Sequence, residues 1–178
     1  NKSDLNVKIE KVTNDTYLKL FDSNLIKSLI KPGDKNKMTS NISLNLDHTN
    51  YDFNVSLTAY EELVGKNSDR YQFVLPYYSF SKKILTDQTP GTVYFNSSGS
   101  NNYKDTNNLR SRIINNINFE SSDLISNIGL KNNFNVHFKN LNTVAKNDPT
   151  YKSSPQVELM SIFEANSSLP LIKYGENY

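Results

Sequence analysis

Tyr51-Asp52-Phe53-Asn54-Val55-Ser56-Leu57-Thr58-Ala59 alternates apolar and polar side chains without a break. Successive side chains of a β-strand point to opposite sides, so this stretch presents one apolar and one polar face. Immediately upstream, Ile42-Ser43-Leu44-Asn45-Leu46 repeats the period. Between the two lies Asp47-His48-Thr49-Asn50, with the chemistry of a tight turn: Asp and Asn bond their own backbone and tolerate left-handed geometry. The two stretches read as a β-hairpin.

The same period recurs in Leu5-Asn6-Val7-Lys8-Ile9, in Phe134-Asn135-Val136-His137-Phe138, and more loosely in Val157, Leu159, Ser161 and Phe163. The pattern predicts eight strands, at 4–13, 38–47, 51–61, 71–82, 91–97, 108–120, 131–142 and 154–172. Helical spacing is confined to Tyr17 to Ile30. Polar connections are expected from Thr13 to Met38 (with Pro32-Gly33-Asp34), Glu61 to Arg70, Ser98 to Asn107 and Thr143 to Ser153. Counted from the 47–50 turn, the longer ones fall on one end, and only the 83–90 link fits this poorly. The fold class is all-β: an antiparallel up-and-down meander of about eight long strands, not closed on itself.

Composition narrows the function. The 178 residues carry 20 Lys plus Arg against 18 Asp plus Glu, a balance that argues against a nucleic-acid partner. Cysteine is absent, which excludes disulfides and thiolate metal sites. With 27 Asn and 21 Ser the chain resembles a disordered one, but 11 Tyr and 9 Phe contradict that. No run of 18 apolar residues exists, so no membrane-crossing helix is expected. The opening Asn1-Lys2-Ser3-Asp4 has no signal-peptide pattern, and the expectation is an internal segment of a longer protein or a product lacking its leader.

Strands with one apolar and one polar face have two homes. In a soluble sandwich the apolar faces meet in a core; in a membrane barrel they meet lipid, and the polar faces line water. Several of the expected strands, about 10–13 residues long, approach the roughly 9–11 that cross a bilayer at a tilt. Tyr17, Tyr51, Tyr60, Tyr71, Tyr77, Tyr78 and Tyr151, near strand ends, suit an interfacial girdle. The barrel is favoured.

Motifs of catalysis are missing: there is no glycine-rich phosphate loop, no His-Glu-x-x-His and no Gly-x-Ser-x-Gly. No catalytic residue, metal site or cofactor is assigned. His48 falls in a turn and His137 on a polar strand face. Glu61-Glu62 reads as a solvated loop pair, and Asp47 and Asp52 as turn caps in preference to calcium ligands. Arg110 and Arg112 share a strand face, where they contact phosphate bidentately or, on the favoured reading, pair with an Asp or Glu of a neighbouring strand. The Asn-x-Ser/Thr triplets (Asn41-Ile42-Ser43, Asn54-Val55-Ser56, Asn96-Ser97-Ser98) are expected by chance in so Asn- and Ser-rich a chain.

Three stretches carry a family resemblance. They are Val7-Lys8-Ile9-Glu10-Lys11-Val12-Thr13-Asn14-Asp15-Thr16-Tyr17-Leu18; the hairpin Ile42 to Tyr60 followed by Arg70-Tyr71-Gln72-Phe73-Val74-Leu75-Pro76-Tyr77-Tyr78; and Ser154-Pro155-Gln156-Val157-Glu158-Leu159 through Ser168-Leu169-Pro170-Leu171. In order and content they resemble the β-barrel region of the LptD/OstA family of outer-membrane lipopolysaccharide assembly proteins. The resemblance implies a non-enzymatic role: passage of lipopolysaccharide (LPS) to the outer leaflet of the cell outer membrane of a Gram-negative type bacterium. It implies as partners an LptE-like plug lipoprotein, outer-membrane lipid, and the periplasmic Lpt bridge reached through a jellyroll domain that lies outside this segment with the terminal barrel strands. Parity alone places Lys8, Glu10, Asn54, Arg110, Arg112, Asn118, Asn135, His137, Lys139 and Glu158 toward the lumen. Phe53, Val55, Leu57, Phe134, Val136 and Phe138 are expected together on the outward face. The alternatives are a soluble secreted β-sandwich acting as an adhesin or carbohydrate-binding module, and a porin or receptor barrel of another family.

Overall fold

The computed structural model describes residues 1–20, 36–65, 69–85, 90–105 and 107–170. Nine strands form one antiparallel sheet: β1 (Lys2–Lys8), β2 (Lys37–His48), β3 (Tyr51–Glu62), β4 (Tyr71–Leu85), β5 (Gly91–Lys104), β6 (Asn108–Ser121), β7 (Leu124–Ile125), β8 (Lys131–Lys146) and β9 (Gln156–Ser168). The eight expected strands are all there, each long strand beside its sequence neighbour. The two-residue β7 pairs with Lys131 and Asn132 of β8, on the side that β6 occupies farther along. Strand β9 takes the other side of β8. The sheet is open, with β1 and β9 at its edges. A second sheet to pack against it, which a sandwich needs, is absent among the described residues.

The strands differ from the expected ones mainly in length. Strand β5 runs through the predicted 98–107 loop to Lys104, and β8 runs to Lys146 through the start of the predicted 143–153 loop. The first extension has partners on both sides, β4 and β6, and the second pairs with β6, so neighbouring backbones override the loop-like composition of Ser97-Ser98-Gly99-Ser100-Asn101-Asn102. Strand β6 begins at Asn108, and Asp105 adopts φ 52°. The end expected to hold the longer loops therefore includes a connection of only three residues.

Strand β1 ends at Lys8, short of the predicted 13, because the chain turns over the sheet end. There Val12 packs with Leu18, Met38 and Leu63, and Met38 is 1% exposed. Helix α1 (Tyr17–Leu20) falls within the segment of helical spacing; residues 21–35, including Pro32-Gly33-Asp34, lie outside the described residues. Strand β9 ends at Ser168, with 169 and 170 beyond it, and residues 171–172 of the expected strand lie outside the described residues. Pro76 sits inside β4 where the register with β5 shifts between Val74 and Tyr77, a bulge at which its missing N–H disrupts no ladder bond.

Register fixes the faces. The row Leu5, Leu44, Val55, Tyr78, Gly99, Ile113, Asn142 and Val157 crosses eight strands on one side. The row Asp4, Asn45, Asn54, Ser79, Ser98, Ile114, Leu141 and Glu158 crosses them on the other. By alternation from these rows, all six expected outward residues share the first side. None is buried: Leu57, Val136 and Phe138 are 42%, 36% and 38% exposed. Among the described residues only Leu18, Met38, Leu63 and Ala145 are buried hydrophobics. A contiguous core of the size that a soluble domain of this length buries is absent among the described residues.

One glycine is required by packing on that face. A Cβ on Gly99 would meet the Tyr78 ring, its register partner, within 3.0 Å of Cζ. Gly99→Val is expected to cost about 1–3 kcal/mol through overpacking. Equilibrium unfolding from detergent or lipid measures this, and an unchanged midpoint would show that the ring yields freely.

Candidate functional site: a two-faced sheet

The apolar face is nearly free of charge. By register it carries, among the described strand residues, only Glu61, Lys82 and Lys146, all near strand ends. Aromatic rings step across it: His48 on its direct partner Tyr51 at 4.8 Å, then diagonally Tyr51 on Phe80 at 6.1 Å and Phe80 on Phe95 at 6.0 Å. A second series runs Phe119, Phe134, Phe163 at 5.7 and 6.3 Å. Such diagonal ring pairs hold strands in register. His48, expected in a turn, ends β2 and accepts the Asn50 N–H on Nδ1.

A polar ladder crosses the middle of this face, and the sequence reading missed it. Tyr78 Oη and Ser97 Oγ are 3.2 Å apart, Ser97 donates to Asn115 Oδ1 at 2.7 Å, and Asn115 Nδ2 donates to Asn140 Oδ1 at 3.1 Å. Asn142 continues it by donating to Asn140. Four strands thus satisfy their central polar groups sideways, which limits the cost of holding them on an apolar surface. The available signal was a polar residue at the apolar parity near the middle of three long strands.

Nine of the ten residues assigned to the lumen by parity stand on the polar face. Glu10 is the exception, lying beyond the end of β1, where parity no longer applies. Its carboxylate pairs with Lys8 at 2.7 Å and accepts the Thr39 N–H at 2.8 Å. Asn118 and His137 are register partners with Oδ1 and Nδ1 3.2 Å apart; His137 Nε2 lies 3.8 Å from Glu164, whose carboxylate also accepts from Asn135 at 3.5 Å. Asn54 donates to Asn45. Arg112 is exposed and has no ion-pair partner among the described residues. Lys139 and Glu158 line one shallow hollow. The nine residues on the face are spread over it and converge on no single reacting centre.

Arg110 is paired, as the favoured reading had it, but with a loop carboxylate and not with one on a neighbouring strand. Its Nε donates to Asp148 Oδ2 at 2.7 Å, and Tyr151 covers the guanidinium at 5.2 Å. Asp148 also accepts the amides of Thr150 and Tyr151 at 2.8 and 3.0 Å. The 147–152 loop is thereby folded onto the polar face, with Lys152 O accepting from Ala145 N.

The Arg110 hydrogen bond, helped by the two amides, lowers the Asp148 pKa to about 2. A depressed carboxylate stabilises above its unfolded pKa, about 3.9, and loses that contribution as pH falls through the folded value. The loop is expected to stay closed at pH 5 and to open between about pH 4 and pH 2. Amide exchange at Thr150 and Tyr151 measures this; Asp148→Asn should abolish the acid transition and speed exchange at neutral pH. An equally sharp transition in Asp148→Asn would assign it to another group.

At the same end of the sheet, Arg70 bridges Asp15 and Glu61 at 2.7 and 3.0 Å, tying the segment before α1 to β3. The Arg70 hydrogen bond holds the Asp15 carboxyl below its usual range. Glu61 and its neighbour Glu62 end β3 and point to opposite faces, and Asp47 faces Asp52 across the hairpin.

The expected tyrosine girdle is only partly formed. Tyr51 and Tyr71 begin strands on the apolar face, but Tyr60 is on the polar face, Tyr77 and Tyr78 are mid-strand, and Tyr151 is on the loop. No family model matches this chain, and no curated protein matches it.

Proposed function

We propose that this chain is a section of the wall of a large outer-membrane β-barrel of LptD/OstA type, which passes LPS to the outer leaflet and catalyses no reaction. The observation that carries the membrane part is the single sheet whose apolar face is uncovered and almost uncharged. Strands of 14 residues such as β5 and β6 extend about 46 Å and, tilted at about 45°, rise about 33 Å, enough for a hydrocarbon layer of about 30 Å. The polar face, with Lys8, Arg112, His137, Lys139 and Glu158, has the wetted, mixed-charge character of a lumen that accommodates a plug lipoprotein and sugar. The LPS part rests on the three stretches that resemble the family. The jellyroll and the periplasmic bridge belong to that reading, outside this segment.

Depleting the full-length protein in its own cell tests it. Surface LPS is expected to fall while the protein fractionates with the outer membrane, both read by antibody on intact cells and on separated membranes. Unchanged surface LPS on depletion, with the protein in the outer membrane, would leave a barrel of another family. Recovery of the protein in the soluble fraction would end the membrane reading.

A further inference from the structure

We infer that the polar face holds a saccharide subsite selective for neutral or amine-bearing sugar units over phosphorylated ones. The inference rests on the reading of that face as wetted. A hollow of about 340 Å³ opens on β2 to β6, built from two adjacent cross-strand rows. One row brings Asp47, Asp52, Ser81, Asn96 and Asn116 together; the other begins with Asn45 and Asn54.

Neighbouring strands are about 4.8 Å apart, and successive same-face residues about 6.7 Å apart. Between the two rows the hollow is floored by the strands at Leu46, Phe53, Phe80 and Ser97, and the rows flank it with amides, hydroxyls and carboxylates at the spacing of hydroxyls across a sugar ring. Each carboxamide offers two donors and an acceptor, and each carboxylate accepts only. Asn96 and Asn116 have no side-chain hydrogen bond among the described residues, so their groups face solvent unspent. An adjoining hollow of about 260 Å³ shares Asp52, Ser81 and Asn96, but Lys82, Lys83 and His48 also line it and the Lys83 ammonium lies 5.7 Å over the Tyr94 ring, so the subsite is confined to the larger hollow.

Charge decides the class. Asp47 and Asp52 face each other directly, an arrangement that disfavours pairing of the strands. No lysine, arginine or histidine lines the larger hollow. The cations nearest to it, Lys2 beside Asp47, Lys139 beside Asn116 and Lys83 two residues along β4 from Ser81, stand at its rim. A phosphate on the floor would meet two carboxylates, whereas an amine or a neutral hydroxyl would donate to them.

The test uses the whole protein folded in lipid vesicles, with glucosamine, N-acetylglucosamine and glucose 6-phosphate as probes and saturation-transfer NMR as the readout. The first two are expected to bind about tenfold more tightly than the phosphate, and Asn96→Leu with Asn116→Leu to weaken them about tenfold. Glucosamine, whose ammonium donates to the carboxylates, is expected to bind more tightly than N-acetylglucosamine, and Asp52→Asn, which preserves shape, to remove that difference. Equal binding of glucose 6-phosphate, or no saturation transfer from the wild type, overturns the subsite. Quenching of tyrosine emission by brominated lipid in the same vesicles reports the membrane reading independently, so the two fail separately.

Discussion

Placed in buffer without detergent, the 178-residue chain is expected to aggregate almost completely, and to regain a β-type circular dichroism spectrum only in detergent or lipid. Two features drive this. The open sheet leaves unpaired backbone groups along β1 and β9, a template for edge-to-edge association. The uncovered face adds large side chains such as Leu159 and Phe163, 65% and 67% exposed, in a patch far larger than soluble monomers tolerate. Sedimentation after refolding, with and without detergent, measures it. A soluble monomer that unfolds cooperatively would end the barrel reading and restore the adhesin or binding module.

A charge placed on one face or the other should have opposite consequences. Ile117 and Asn118 are sequence neighbours near the middle of β6, the first on the apolar face beside Phe138, the second on the polar face beside His137. Ile117→Lys is expected to destabilise folding into lipid vesicles by about 2–4 kcal/mol, the cost of a lysine near the membrane midplane. Asn118→Lys should change stability by less than about 0.5 kcal/mol, because its ammonium stays in water. Urea titration of vesicle-inserted protein gives both values. Equal effects would mean that neither face meets lipid, and the reverse order would turn the sheet inside out.

The parts of this structure legible in the sequence are those dictated by side-chain period. Tyr51 to Ala59 shows its strand, its face and its hairpin partner without help, because alternation of Phe53, Val55 and Leu57 with Asn54, Ser56 and Thr58 is a local property. Residues 98–104 do not. Their Ser, Gly and Asn have loop propensity, and they become strand because β4 and β6 supply hydrogen bonds on both sides and Tyr78 covers Gly99. The candidate site divides in the same way. Parity placed Asn118 and His137 on one face, but the Arg110–Asp148 pair joins residues 38 apart in sequence. Only the closing of the 147–152 loop reveals it. Parity likewise fails at Glu10, where the strand has already ended.

The turn at Thr49-Asn50 and the strictly sequential pairing of the long strands have a consequence for how such a wall changes over evolutionary time. Each strand depends only on the strands before and after it, so a hairpin is a removable tile. Excising β2 and β3 together would bring β1 beside β4 with the antiparallel alternation intact, whereas excising one strand would force its neighbours to run parallel. Circumference can therefore grow or shrink by duplication or loss of two strands at a time, with the rows elsewhere unshifted. Such a chain can be remodelled by whole hairpins long after its individual side chains have ceased to be recognisable.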